Sequence, residues 1–81
     1  WVMRIIGEIP HAQCKVTLYH WNNRYLIKLE KNGLEQTFKV DQFELTSDKD
    51  LQILVDGSFL EKAMYRFEDM ERTMAEALQK L

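Results

Sequence analysis

Apolar and polar residues alternate through the first half of the chain, as they do in β-strands with one buried face. Residues 3–9 are rich in isoleucine and predict a first strand, which ends at Pro10 because proline has no N–H for a sheet ladder. Further alternating segments are separated by Asn22-Asn23 and Asn32-Gly33. Asparagine and glycine tolerate positive φ, so both dipeptides predict two-residue hairpin turns.

The two predicted turns also define the register of the strands. The first turn places Leu18 opposite Ile27, and the second places Ile27 opposite Phe38. Because side chains alternate between the faces of a sheet, both turns place one apolar set on the same inner face. That set is Cys14, Val16, Leu18, His20, Tyr25, Ile27, Leu29, Phe38 and Val40. The alternation then loses phase, which predicts that the last strand ends or bulges near Asp41.

The second half of the chain changes to helical spacing. Ser47 and Ser58 are each followed three positions later by an acidic residue, which is typical of capping boxes. They predict a short helix over about 48–55 and a long helix over about 58–79. Apolar residues of the long helix recur at alternating intervals of three and four. They are Leu60, Ala63, Phe67, Met70, Met74, Ala77 and Leu81, and Met64 and Leu78 widen the stripe.

These elements predict one α+β domain over residues 1–81, with its strands within about 3–45. The predicted fold is an antiparallel β-meander of three to four strands, packed on one face by a short helix and a long C-terminal amphipathic helix. The predicted core consists of Ile5, Val16, Leu18, Ile27, Leu29, Phe38, Val40, Leu60, Met64 and Phe67.

The long helix is predicted to extend past the sheet that it covers. About 23 helical residues span roughly 35 Å, whereas strands of about seven residues span roughly 23 Å. The apolar residues of the last turns therefore lack a predicted partner within the chain. They are Met70, Met74, Ala77, Leu78 and Leu81, and a second copy of the chain would cover them.

Chain length supports the same interpretation. A chain of 81 residues has a thin core and often needs an additional stabilising element. Cys14 is its one cysteine, so no disulfide can form within the chain. We therefore predict a non-enzymatic protein-interaction and assembly module that forms a homodimer through the long helix. Its methionines would also allow the helix to bind a different protein.

The opposite, outer face of the predicted sheet suggests an alternative function. Aromatic and basic residues gather there, namely Lys15, Tyr19, Trp21, Arg24, Lys28 and Lys39. Aromatic rings among cations can stack on bases while the cations meet phosphates. In its order of elements, a meander followed by a helix, the chain resembles the single-strand-binding domains of the Whirly and Pur families and related transcriptional cofactors. This resemblance implies a single-stranded nucleic-acid-binding domain.

The charge of the outer face makes nucleic-acid binding the second hypothesis, after the homodimer. Glu30, Glu35 and Asp41 share the outer face and leave it a net charge of about +1, while the whole chain carries −2. Binding to nucleic acid depends on an excess of cations that neutralise phosphates. The outer face could equally pack against a second subunit.

Catalytic and metal-binding signals are weaker still. His20 lies on the inner face without a partner at the spacing of a nucleophile system, and we expect it to hydrogen-bond to Tyr25. His11 and Cys14 are three residues apart, but a structural zinc site needs four ligands. We therefore expect no cofactor and no metal, and an enzyme is the third hypothesis.

The lone thiol of Cys14 favours a reducing, cytoplasmic location. No apolar run approaches the roughly 20 residues of a membrane span. We also expect no signal peptide, because no long apolar stretch follows a basic start, and Met3 is a candidate native start.

Overall fold

The computed structural model describes residues 3–81 and confirms the α+β fold. Four antiparallel strands form one sheet in the order β1-β2-β3-β4, so each strand pairs with its neighbour in sequence. A 3-10 turn and two helices follow the sheet. The elements are β1 Arg4–Ile9, β2 Lys15–Trp21, β3 Arg24–Lys31, β4 Leu34–Asp41, the 3-10 turn Gln42–Glu44, α1 Asp50–Leu54 and α2 Gly57–Leu78.

Both hairpin turns adopt the predicted conformation. Asn22 and Asn23 have φ values of 53° and 61°, and Asn32 and Gly33 have φ values of 49° and 79°. Ile27 pairs with Leu18 on one side and with Phe38 on the other, as the sequence register requires. This register also places Glu30 opposite Glu35. Lys28 offsets their repulsion, because its Nζ lies 3.9 Å from Glu30 and 3.6 Å from Glu35.

The hydrophobic core lies between the inner face of the sheet and the two helices. Its buried members come from β2, β3, α1 with the residue after it, and the first half of α2, and they are Val16, Leu18, Ile27, Leu29, Leu51, Val55, Leu60, Ala63 and Phe67. Phe38, Val40 and Met64 are partly buried and pack around this cluster. The sheet and α2 thus form two layers that share one core.

The prediction that Ile5 belongs to the core is wrong. Ile5 pairs with Tyr19, Gly7 pairs with Leu18, and the register shifts between them at a β-bulge. The bulge turns Ile5 to the outer face, where it is 63% exposed. Ile6 packs against the core instead.

Neither helix begins with the predicted capping box. The Asp56 carboxylate accepts the N–H of Phe59 at 2.9 Å, so Asp56 rather than Ser58 caps α2. The N-cap position of α1 is Lys49, which makes no side-chain capping bond. The carboxylate of Asp50, the first residue of α1, instead accepts hydrogen bonds from the N–H and Oγ1 of Thr46, both at 2.8 Å. These hydrogen bonds hold the pKa of Asp50 below its usual value.

The described chain is elongated. Its principal extents are 46 × 30 × 19 Å, and its radius of gyration is 14.4 Å. A compact chain of this length has a radius of gyration of about 12 Å. The 22 residues of α2 span roughly 33 Å, whereas the eight residues of β4 span roughly 27 Å.

Candidate self-association surface on the long helix

The first half of α2 is fixed to the sheet by polar and aromatic contacts at β4. Gln36 donates from Nε2 to the carbonyl oxygen of Ala63 at 2.8 Å and accepts from Nε of Arg66 at 2.9 Å. The Arg66 guanidinium also lies 5.7 Å from the centre of the Phe38 ring. Phe59 packs edge-on against Phe38 with ring centres 5.0 Å apart. These contacts hold α2 antiparallel to β4.

An ion pair marks the end of this packed region. Lys31, the last residue of β3, places its Nζ 3.3 Å from Oε1 of Glu71. Beyond Glu71, none of the described residues of α2 is fully buried. The helix therefore leaves the sheet at about this position and continues for roughly two turns.

The predicted self-association residues lie in and around this free region. Met74 is 49% exposed, Leu78 is 58% exposed, and Leu81, just past the helix, is fully exposed. Ala77 is half-buried, and Met70 is partly buried against the core. The five residues Met70, Met74, Ala77, Leu78 and Leu81 form what we call the distal helix surface.

The sequence did not reveal that the β3–β4 turn adjoins this surface. Asn32, Gly33 and Leu34 face Met74, Ala75 and Leu78 across an open groove of about 390 Å³. The groove is mostly apolar, and Glu71 also lines it. The one available signal was the Asn32-Gly33 turn itself, which places the end of the hairpin at the same end of the sheet as the free helix.

All six residues of the predicted nucleic-acid surface lie on the outer face, at alternating positions of β2, β3 and β4. They are Lys15, Tyr19, Trp21, Arg24, Lys28 and Lys39. The bulge and the pairing of β1 add Ile5 and Glu8 to this face. With Glu8, Glu30, Glu35 and Asp41, the face has four acidic groups against four basic ones, so its net charge is zero rather than +1.

Several outer-face cations already have acidic neighbours. Lys15 lies 4.0 Å from Glu8, and Lys28 lies between Glu30 and Glu35. The side chains at the centre of the outer face are also buried by their neighbours: Leu26 is 7% exposed and Thr17 is 2% exposed. Leu26 is flanked by Tyr19 and Lys39, and Thr17 by Glu8 and Lys28. A base would therefore meet a largely filled, charge-balanced surface.

The predicted hydrogen bond between His20 and Tyr25 does not form. Their rings pack 4.8 Å apart at 44°, but each bonds elsewhere. His20 Nε2 lies 3.1 Å from Oε1 of Gln42, and the Tyr25 hydroxyl donates to Oδ1 of Asp48 at 2.8 Å. The bond to Asp48 raises the pKa of Tyr25, because it stabilises the protonated phenol. Both side chains thus tie the sheet to the connection before α1.

The other histidine makes a local hydrogen bond, and the thiol is partly buried. His11 accepts the N–H of Gln13 at its Nδ1, at 3.1 Å. Burial raises the pKa of Cys14, and the nearby Lys31 only partly opposes this effect. Within residues 3–81, no three histidine, cysteine or acidic side chains are grouped so that they could hold a metal ion.

Comparison with protein-family models, curated proteins and solved structures finds no match to this chain. The resemblance in element order to single-strand-binding domains therefore gains no support from a wider similarity. None of the helices within residues 3–81 is long and apolar enough to cross a membrane.

Proposed function

We propose that the chain is a small non-enzymatic assembly module that forms a homodimer through the distal helix surface. One observation carries the proposal. The apolar stripe of α2 continues past the ion pair at Glu71 and leaves Met74 and Leu78 exposed on one side of the helix, with the exposed Leu81 just beyond its end. Exposed apolar side chains that are continuous with a core favour burial against a partner.

A second copy is the occupant that fits this stripe. If two α2 helices pair antiparallel about the midpoint between Ala75 and Glu76, Met74 lies opposite Ala77 of the second copy. In the same register, Leu81, which follows the end of α2, extends toward Met70 of the second copy. Large side chains then face a small one at the centre, which is the complementarity that knobs-into-holes packing needs. The partner helix would also approach Leu34 across the groove.

Single-stranded nucleic-acid binding by the outer face is the weaker proposal. Four acidic side chains balance its four basic ones, so little net counterion release would favour binding. Salt-dependent binding of an oligonucleotide that Trp21→Ala weakens would support this alternative over the dimer.

Light scattering of the chain at low micromolar concentration tests the dimer. We expect a mass near twice the 9.7 kDa chain. Replacing Met74 and Leu78 together by Glu should give a folded monomer, because two carboxylates would have to be buried in each half of the interface.

The matched control combines Arg72→Gln with Gln79→Glu. It changes the net charge by the same amount but lies on the opposite side of α2 from Met74, and both of its positions are exposed. The control should remain a dimer. A wild-type monomer, or a Met74→Glu/Leu78→Glu variant that keeps the wild-type mass, would overturn the proposal.

A further inference from the structure

The two edges of the sheet differ in their ability to accept another strand. The free edge of β1 contains the bulge between Ile5 and Gly7, and Pro10 follows its end. Both features prevent regular pairing. The eight residues of β4 pair with β3 without any register shift, so this edge is regular up to its end at Asp41.

The hairpin geometry identifies which backbone groups face the free edge of β4. Lys31 and Leu34 flank a two-residue turn, so they exchange hydrogen bonds with each other. Hydrogen-bonded pairs alternate along an antiparallel ladder, which turns the N–H and C=O groups of Glu35, Thr37 and Lys39 away from β3. The bond from Gln42 N–H to Asn23 O, 3.1 Å long, follows the same alternation. All three edge residues are exposed.

The charges on this edge are complementary to themselves. Glu35 and Lys39 are spaced symmetrically about Thr37. We infer that β4 pairs antiparallel with β4 of a second copy about Thr37. Glu35 then lies opposite Lys39 of the second copy, and Lys39 opposite Glu35 of the second copy. Each of these pairs consists of residues whose backbone groups face the free edge, so hydrogen bonding and charge require the same register.

Neighbouring registers with the same hydrogen-bonding pattern are worse. A shift of two residues in one direction places Glu35 opposite Asp41 of the second copy, and shifts of four place Glu35 or Lys39 opposite itself. A shift of six pairs Lys39 with Asp41 of the second copy, but only residues 39–41 of each β4 then overlap. A shift of two residues in the other direction leaves Glu35 opposite Thr37 without a charge partner. Opposite charges directly across a strand pair are favourable and like charges are unfavourable. Charged residues often keep sheet edges apart, but here their spacing selects one pairing.

The part of this edge around Thr37 lies apart from the distal helix surface, which β4 approaches at Leu34, and the pairing goes beyond the proposed function. Gln36 of β4 lies against Ala63, in the first half of α2, whereas the distal surface adjoins the Asn32-Gly33 turn. Each interface uses the same surface on both copies. A chain with two such interfaces can build beyond a dimer. The wild-type mass should therefore rise above that of the dimer as the concentration increases.

The test uses the Met74→Glu/Leu78→Glu chain, in which the helix interface is removed. Sedimentation equilibrium up to about 1 mM should show weak dimerisation, which is typical of small interfaces. Thr37→Pro should abolish it, because proline removes an outward N–H and leaves the bonds to β3 intact. Thr37→Val is the matched control and should still dimerise.

Two charge reversals test the register. Glu35→Lys and Lys39→Glu, each alone, should weaken dimerisation at least about tenfold, because both charge pairs become repulsive. An equimolar mixture of the two single variants should dimerise again, since every pair across the mixed interface then joins opposite charges. A simple loss of folding in either variant would not produce this recovery.

A chain that stays monomeric at all concentrations in the Met74→Glu/Leu78→Glu background would overturn the inference. So would a mixture that associates no more tightly than the separate variants. If the helix variant instead keeps the wild-type mass, the proposed function fails, and loss of that dimer on Thr37→Pro would assign it to the β4 edge.

Discussion

The two halves of α2 carry the same apolar spacing but have different surroundings. In the first half, Leu60, Ala63 and Phe67 are buried against the inner face of the sheet. In the second half, Met74 and Leu78 occupy equivalent positions and remain about half exposed. The division falls near Glu71, where the helix passes the end of β3. The comparison shows that helical periodicity identifies which side of a helix will be covered, whereas the length of the sheet decides how much of that side is covered.

The strongest test of this difference compares Phe67→Ala with Met74→Ala. Phe67 is fully buried, so its truncation should lower the free energy of unfolding by about 3–5 kcal/mol. Met74→Ala should change it by no more than about 0.5 kcal/mol when the chain is monomeric. Urea unfolding, at a protein concentration below that at which the chain dimerises, measures both changes in the free energy of unfolding. Phe67→Leu provides a milder variant if Phe67→Ala does not fold, and equal effects at 67 and 74 would refute the division of α2.

A second test concerns the start of the packed half. Asp56→Ala should destabilise the chain by about 1 kcal/mol, because the N–H of Phe59 loses its acceptor. Asp56→Ser should retain most of the stability, since serine is also a good cap. Ser58→Ala is the control and should have little effect, because Ser58 lies inside α2. Thermal unfolding followed by circular dichroism can rank the three variants, and a larger loss for Ser58→Ala would assign the cap to the residue that the sequence indicated.

The reversed roles of Asp56 and Ser58 illustrate what the sequence could predict. The existence of α2 was predictable because its apolar spacing extends over many residues. The first residue of the helix depends on a single capping hydrogen bond, and either Asp56 or Ser58 could have accepted it. The register of β2, β3 and β4 was predictable because two short turns determine it locally. Gly7 was the available signal for the bulge that exposes Ile5, since glycine within a strand often marks one.

The candidate surfaces were predictable to different degrees. The position of Met74 and Leu78 beyond the sheet was predictable from the length of α2 relative to the strands, and both lengths can be read from the sequence. The position of Leu34 across the groove depends on how the hairpin and the helix pack in three dimensions. The charge balance and burial of the outer face depend on strand order as well, because Glu8 lies on this face only when β1 pairs with β2. Local patterns therefore predicted the elements and their faces, and tertiary packing determined which surfaces remained open.

The ion pair between Lys31 and Glu71 offers the smallest but most direct test of where the two halves of α2 divide. Both side chains are partly exposed, so the pair should contribute only about 0.2–1 kcal/mol to the free energy of unfolding. A double-mutant cycle with Lys31→Met and Glu71→Gln, in the Met74→Glu/Leu78→Glu background, would measure this coupling. The exposed pair of Asp69 and Arg72, 3.4 Å apart on α2 itself, is the matched control and should show a weaker coupling. Added salt should reduce both couplings. A coupling between Lys31 and Glu71 no larger than that of the control would mean that Glu71 is not held at the end of β3, and that the packed part of α2 ends at Met70, which still contacts the core.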